Sequence, residues 1–229
     1  MKTAIGLIET MYWNGHTIDL WPHHLLRLQK GLEQYQTDVD EDELREQCFY
    51  KIKQSADPKQ PKKLRLEVYP APEKAEVNIT VSDFKRTEGI TLTLGFASGI
   101  CIQSTRASGL KTTDRALYDK AQEQAAALQY SDMILHNEKG HLVETAIYNI
   151  IWKEKGKPDL YTPDIKEGCI AGVMRHYLLT KGFITEAILT KDLLGKAESV
   201  WVCNALRGII PVRSIAGRVY EIRETGITL

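Results

Sequence analysis

The stretch His141-Leu142-Val143-Glu144-Thr145-Ala146-Ile147-Tyr148-Asn149-Ile150-Ile151-Trp152 places one carboxylate and one amide inside an almost continuous apolar run. Such a run is typical of two short, buried strands joined by a turn, which we predict at 141–145 and 148–153. A carboxylate on buried strands needs a partner, and the ring nitrogen of a cofactor would be one. The sequence leaves open a glutamate on an edge strand that faces water.

Toward the N terminus lies Gly109-Leu110-Lys111-Thr112-Thr113-Asp114, where Lys111 precedes a helix predicted over 112–129, with Asp114 in its first turn. A lysine that forms an imine must be partly desolvated so that its amine can be neutral, and a junction between two lobes provides such a place. The alternative is a solvated lysine of no special role.

Two stretches toward the C terminus could present backbone amides to a phosphate. Gly172-Val173-Met174-Arg175 stands at the start of a helix predicted over 173–181, and the first turn of a helix carries unpaired N–H groups. Asn204 to Val212 reads as a strand, a turn of small residues and a second strand, predicted at 199–204 and 208–212. An ordinary glycine turn remains open for the first stretch.

Composition narrows the classes of partner. Thirty basic residues balance thirty acidic ones and are scattered along the chain, which argues against nucleic acid and against an anionic membrane. The four cysteines form no C-x-x-C pair and the histidines show no metal-ligand spacing, so we assign no metal. The first ten residues read neither as a signal peptide nor as a membrane span, and we expect a cytoplasmic protein.

The order of elements predicts an α+β fold with two lobes and a cleft in which a small molecule binds. We expect a small N-terminal lobe at 1–98, a linker at 99–109 and a larger lobe at 110–229. The remaining predicted strands are 5–12, 17–20, 64–68, 77–81, 90–94 and 132–136, and the remaining helices are 22–36 and 41–54.

Together these stretches resemble the class IV PLP-dependent aminotransferase family, of fold type IV (D-amino-acid aminotransferase-like), where PLP is pyridoxal 5′-phosphate. The N terminus adds Gly6-Leu7-Ile8-Glu9-Thr10, Asn14-Gly15 and His24-Leu25-Leu26-Arg27-Leu28 to the match. The resemblance implies PLP in the cleft as a Schiff base on Lys111, with Glu144 at its pyridine nitrogen. It also implies Thr10 as a catalytic acid and four further cofactor-binding residues besides the phosphate-binding Arg27: Asn149, Val173, Met174 and Ala205.

Within the family, Val202 to Leu206 and Glu144 to Trp152 look most like the 4-amino-4-deoxychorismate lyases of folate synthesis. The resemblance therefore implies a small amino substrate and a homodimer, with Arg106 as a candidate for a substrate carboxylate. Two alternatives stay open: a branched-chain or D-amino-acid transaminase, and a non-catalytic PLP-binding homologue. The second arises because relatives usually carry an additional N-terminal segment before the position of Met1, which leaves substrate choice open.

Overall fold

The computed structural model describes residues 5–72, 74–104 and 109–227. By its internal contacts the chain divides into two compact units. The first takes the chain up to Thr87 together with Leu110–Asp114, and the second takes Glu88–Gly109 and everything from Arg115 onward. Lys111 therefore belongs to the first unit, and the predicted division at 99–109 stays a prediction.

The first unit is built on a three-stranded antiparallel sheet in the order β1-β2-β3. Its strands are β1 (Leu7–Trp13), β2 (Lys62–Tyr69) and β3 (Glu76–Asp83). In β2 every second side chain is buried, as the alternation of Leu64, Leu66 and Val68 predicts. These residues form one core with the apolar faces of the two helices of the unit, α1 (Trp21–Glu33) and α2 (Glu41–Lys53).

Each helix of this unit has an identifiable start. Pro22 stands in the first turn of α1, where its missing N–H costs nothing. The side chain of Asp40 caps α2 by accepting a 2.8 Å hydrogen bond from the Glu43 amide. The return strand predicted at 17–20 is present only as a single antiparallel bridge between Trp13 and Ile18, because the Asn14 carboxamide accepts from the amides of His16 and Thr17 and folds the chain into a turn.

The segment Leu110–Asp114 pairs with β1 and is not helical. Ile8 N donates to Lys111 O at 2.8 Å, and Thr113 N donates to Gly6 O at 2.8 Å. The helix predicted from Thr112 begins instead at Ala116, as α3 (Ala116–Ala127). The prediction placed this start too early because the β-branched residues Thr112 and Thr113 use their backbone in the pairing with β1.

The second unit is built on a nine-stranded mixed sheet in the order β6-β5-β4-β11-β10-β7-β8-β9, with β12 paired to β11. The strands are β4 (Leu92–Ile102), β5 (Asp132–Asn137), β6 (Leu142–Thr145), β7 (Asn149–Glu154), β8 (Leu160–Pro163), β9 (Thr185–Ala187), β10 (Ala197–Asn204), β11 (Gly208–Ile215) and β12 (Arg218–Val219). Helices α4 (Val173–Thr180) and α5 (Lys191–Lys196) complete the unit with α3 and a single 3₁₀ turn, Ile165–Glu167. The predicted α+β class is confirmed.

Strand β4 continues through a stretch that the sequence predicts to be irregular. It runs to Ile102, so positions 99–102 of the predicted linker are strand. One of the small residues that hide its periodicity, Gly95, is needed for packing. A Cβ on Gly95 would lie 2.6 Å from the Tyr130 ring and 2.8 Å from the Met133 sulfur, so only glycine fits under these side chains.

Candidate active site

Lys111 is fixed beside the start of β1 by the backbone pairing of residues 111–113. The Gly6 amide donates to the Thr113 hydroxyl at 2.9 Å, which adds a side-chain contact to that pairing. The ammonium nitrogen of Lys111 lies 3.4 Å from Thr10 Oγ1, and both side chains are half-buried. The structure thus brings together the two residues predicted to be catalytic, within the first unit.

A buried ionic cluster precedes Thr10 on the same strand. Glu9 is 3% exposed, and its carboxylate accepts from Arg27 Nε at 2.7 Å and from Arg27 Nη2 at 2.5 Å. His24 Nδ1 lies 2.5 Å from the same carboxylate. Fork-like pairing of this kind orients a guanidinium more tightly than a single hydrogen bond does. Arg27, predicted to bind phosphate, is therefore held in place by Glu9.

The pKa values of this cluster follow from its surroundings. Burial alone would raise the pKa of Glu9, but the Arg27 charge and the His24 hydrogen bond outweigh it and lower the pKa to about 2. Burial lowers the pKa of His24, and the bond to Glu9 offsets this only in part. A neutral His24 that donates from Nδ1 leaves Nε2 as a buried acceptor with no hydrogen-bond partner among the described residues. The cluster is therefore a carboxylate, a neutral imidazole and a guanidinium.

In the second unit, Glu144 lies on β6 with its carboxylate buried and hydrogen-bonded. Tyr118 OH donates to Oε1 at 2.8 Å, and the Ile170 amide donates to Oε2 at 3.0 Å. Asn149 Nδ2 also approaches Oε2, at 3.3 Å. Donors of this kind favour the ionised carboxylate, which is the form that would hold a protonated ring nitrogen. The alternative of a solvent-facing glutamate is wrong, since Glu144 is 3% exposed.

Asn149 also joins this carboxylate to the start of α4. Its Nδ2 donates to Ile170 O at 3.0 Å, and a Cβ on Gly172 would lie 1.9 Å from its Oδ1. Glycine is therefore required at 172. Gly172 caps α4 without a side-chain hydrogen bond, and the first turn holds no acidic residue. The amides of Val173 and Met174 stand in this first turn, where an anion would be favoured by the helix dipole.

Arg175, which ends the Gly172–Arg175 motif, has a structural role. It is buried, donates to Pro163 O at 2.7 Å and forms an ion pair with Glu186. The guanidinium thus ties α4 to the segments that contain Pro163 and Glu186. The motif brings Val173 and Met174 to the helix start and directs Arg175 elsewhere.

Ala205 lies in the turn between β10 and β11, and Asn204 braces that turn. Asn204 Oδ1 accepts from the Arg207 amide at 2.8 Å, while Asn204 Nδ2 donates to Ile147 O at 3.2 Å. The same turn at 145–148 that separates Glu144 from Asn149 is thereby joined to the turn that contains Ala205. Three predicted cofactor contacts, Glu144, Asn149 and Ala205, belong to one connected group of turns.

The residues present suit PLP. The start of α4, which no side chain caps, offers amides to a phosphate, and Glu144 offers a buried anion to a pyridinium. The lysine beside β1 offers an amine. Of the predicted residues, Arg106 lies outside the described residues. Within 5–72, 74–104 and 109–227 no group of three potential metal ligands occurs, and no described helix is long and apolar enough to cross a membrane.

Sequence reasoning missed three residues that this geometry singles out: Glu9, His24 and Tyr118. Glu9 interrupts an apolar strand, which was an available signal of a buried charge. His24 stands three residues before Arg27 on one helix face, a spacing that places both near a common partner. Tyr118 is 26 residues away from Glu144 along the chain, and the sequence gives no signal of their contact.

Comparisons with known proteins show the family and the fold of this chain. The family model described as amino-transferase class IV matches residues 6–215. An aminodeoxychorismate lyase of Vibrio harveyi is 32% identical over 116 residues, which cover 48% of this chain and 41% of that protein. The matches to curated relatives span less than half of those relatives' length.

Solved structures share the fold over nearly the whole chain. A Mesorhizobium loti protein described as a "Putative amino-acid aminotransferase" has a TM-score of 0.82 at 26% identity, covering 92% of this chain and 99% of that one. The 4-amino-4-deoxychorismate lyase of Pseudomonas aeruginosa has a TM-score of 0.77 at 23% identity, covering 96% and 86%. The fold is that of the fold type IV PLP enzymes.

Proposed function

Because the chain belongs to the class IV aminotransferase family, we propose that it is a PLP-dependent lyase that converts 4-amino-4-deoxychorismate to 4-aminobenzoate and pyruvate. Curated relatives named as aminodeoxychorismate lyases support this activity. The pair formed by the Lys111 amine and the Thr10 hydroxyl, 3.4 Å apart, carries the proposal. The reaction needs a base at one carbon and an acid for the departing group, and a lysine beside a hydroxyl supplies both.

When bound, PLP acts as an electron sink for the substrate carbon that bears the amine. Lys111 would anchor it, Glu144 would accept the hydrogen bond of its ring nitrogen, and its phosphate would be met by the first turn of α4, the Ala205 turn and Arg27. Asn149 would hold Glu144 and the start of α4 in register.

The chain's own residues would then move two protons. The Lys111 amine would take the proton from the substrate carbon that bears the amino group. The bond to the enolpyruvyl oxygen breaks, and the ring becomes the aromatic ring of 4-aminobenzoate. The Thr10 hydroxyl, within reach of Lys111, delivers a proton to the departing enol, which leaves as pyruvate. Lys111 then passes the proton that it took from the substrate to the Thr10 oxygen, so both side chains end the cycle in their starting protonation states.

A transaminase is the second candidate, favoured by the similarity to nearly the full length of the Mesorhizobium protein. Transamination uses the same lysine but needs a keto acid as a second substrate. It has no need for Thr10, because nothing but the amino group leaves the substrate. A requirement for keto acid therefore separates the two candidates.

The test is an assay of the purified protein with PLP and 4-amino-4-deoxychorismate, with 4-aminobenzoate measured by fluorescence after chromatography. Product without keto acid, lost in Lys111→Ala and reduced in Thr10→Val, is the expected result. Amino transfer that requires keto acid would replace the proposal with the transaminase. PLP binding without turnover of either kind would indicate a non-catalytic binder.

We also infer a homodimer from family membership. Sedimentation velocity at working concentration should give twice the mass of the chain, 26.0 kDa. A monomer under those conditions would refute this inference without affecting the chemistry.

A further inference from the structure

Tyr118 holds the carboxylate of Glu144 at the oxygen opposite to the one that the Ile170 amide and Asn149 engage. The Tyr118 hydroxyl engages Oε1 at 2.8 Å, whereas the Ile170 amide and Asn149 Nδ2 both engage Oε2. A carboxylate held on both oxygens cannot rotate about its terminal bond without breaking a hydrogen bond. Tyr118 therefore fixes the plane of the Glu144 carboxylate.

The Tyr118 ring is enclosed by its neighbours. Tyr118 lies on α3, is 1% exposed and belongs to a core cluster with Ala121, Ala125 and Leu135. The Arg115 guanidinium carbon lies over the ring, 5.1 Å from its centroid. A cation over the ring draws electron density from the phenol and makes its hydroxyl a stronger donor. Arg115 in turn donates to Ala146 O at 3.1 Å, within the turn that follows Glu144.

We propose that Tyr118, supported by Arg115, is a positioning residue that keeps Glu144 ionised and correctly oriented for the ring nitrogen of PLP. This inference rests on the proposed function, because it assumes that PLP binds to Glu144. It adds to that function a residue that acts on the cofactor through another side chain. Loss of the hydroxyl would weaken the hold of Glu144 on the cofactor, and PLP affinity would fall.

The experiment compares Tyr118→Phe with Tyr220→Phe. Tyr220 is a matched control in the same unit: its ring is 6% exposed, and its hydroxyl donates to Leu194 O at 3.1 Å, away from Glu144. Three properties are measured: the dissociation constant of PLP, the pH midpoint of the visible band of bound PLP, and the unfolding midpoint of the cofactor-free protein. None of the three depends on turnover.

We expect Tyr118→Phe to weaken PLP binding by roughly 10-fold or more, the range for a hydrogen bond to a charged group. The visible band should titrate at a changed pH in this variant and at the wild-type pH in Tyr220→Phe. Both variants should unfold at a somewhat lower temperature. A Tyr118→Phe protein that matches Tyr220→Phe in PLP affinity and in the pH midpoint would overturn the proposal, since Tyr118 would then be merely structural.

Two further results keep the outcome decisive. Glu144→Gln combined with Tyr118→Phe should bind PLP no more weakly than Glu144→Gln alone, and additive losses would contradict the proposal. Should Tyr118→Phe not fold, Arg115→Met, which leaves the hydroxyl in place, should weaken PLP binding several-fold, and unchanged affinity would overturn the role given to the pair. A wild-type protein that binds no PLP would instead refute the proposed function.

Discussion

The carboxylate of Asp132, at the start of β5, accepts a 2.7 Å hydrogen bond from the hydroxyl of Thr145, at the end of β6. The same carboxylate accepts from the amides of Met133, Ala146 and Ile147. It thereby forms the turn that separates Glu144 from Asn149. Burial raises the pKa of Asp132, and these hydrogen bonds only partly offset that effect.

Asp132→Asn should lower the free energy of unfolding by roughly 1–3 kcal/mol, because an amide nitrogen would face donors that now meet an oxygen. Urea titration of the cofactor-free protein measures the loss. Asp159→Asn, at an exposed position in the same unit, should leave the midpoint unchanged. Equal midpoints for both variants would show that the turn does not depend on Asp132.

The cluster around Glu9 should make the protein sensitive to acid. The pKa of Glu9 is about 2 in the folded protein, against an ordinary value of 4.5. The contribution of the ionised Glu9 to the free energy of unfolding is therefore fully present above pH 4.5 and is lost as the pH falls toward 2. The lowered pKa of His24 acts in the same direction, since its contribution is present above pH 6.5 and lost as the pH falls through the folded pKa. Glu9→Gln should remove about 3 kcal/mol at pH 7 and flatten the stability curve between pH 4.5 and 2.

Unfolding by urea at a series of pH values tests this prediction. Glu33→Gln, at an exposed site on α1, is the matched control and should follow the wild-type curve. A Glu9→Gln protein with the wild-type slope in acid would mean that the charge of Glu9 is not the source of the acid sensitivity.

Gly172→Ala should damage the site, whereas Gly195→Ala should not. The added Cβ at 172 would lie 1.9 Å from Asn149 Oδ1, and Asn149 cannot retreat without losing its bonds to Ile170 and Glu144. We expect a loss of about 1–3 kcal/mol in unfolding free energy together with weakened PLP binding. At Gly195, in α5, a Cβ has nothing within 4 Å, and the change should be neutral or slightly stabilising. Calorimetry and PLP titration of both variants decide the matter.

Lys111→Ala should abolish covalent attachment of the cofactor. Borohydride treatment of the wild-type protein with PLP, followed by digestion and mass spectrometry, should show the modification on the peptide that contains Lys111. Lys120→Ala, on the exposed face of α3, should keep it. If the Lys111→Ala protein carried reduced PLP on another peptide at the wild-type yield, the lysine that attaches the cofactor would not be Lys111.

Much of the fold follows from local patterns, because strands with one buried face alternate visibly and capped helices show their starts. Strand β2 and helix α2 are examples, and β6 and β7 follow from their apolar runs. The start of α3 could not be predicted from the neighbouring residues, since Thr112 pairs with Leu7, which lies near the N terminus. Small residues conceal β4 because the side chains that cover it come from later elements.

The site could be predicted where a short motif determines the backbone, as at Gly172. It could be predicted less well where side chains from distant parts of the sequence contact one another. Arg175 belongs to the same motif, yet its partner Glu186 comes from β9, and sequence spacing gives no reason to expect that pairing. Tyr118 and Glu144 meet only because α3 packs on β5, next to β6. Long-range packing decided each of these cases.

Strand β4 lies between β5 and β11 and is parallel to both, which affects how the chain folds during translation. Leu92 pairs with Val212. One edge of β4 therefore stays unpaired during translation until more than half of the polypeptide has followed it out of the ribosome. The first unit can be completed earlier in translation, when residues 110–114 emerge and pair with β1. A nascent chain stalled between these two points would carry a lysine already set beside Thr10, and a growing sheet with an exposed strand edge that chaperones would have to shield.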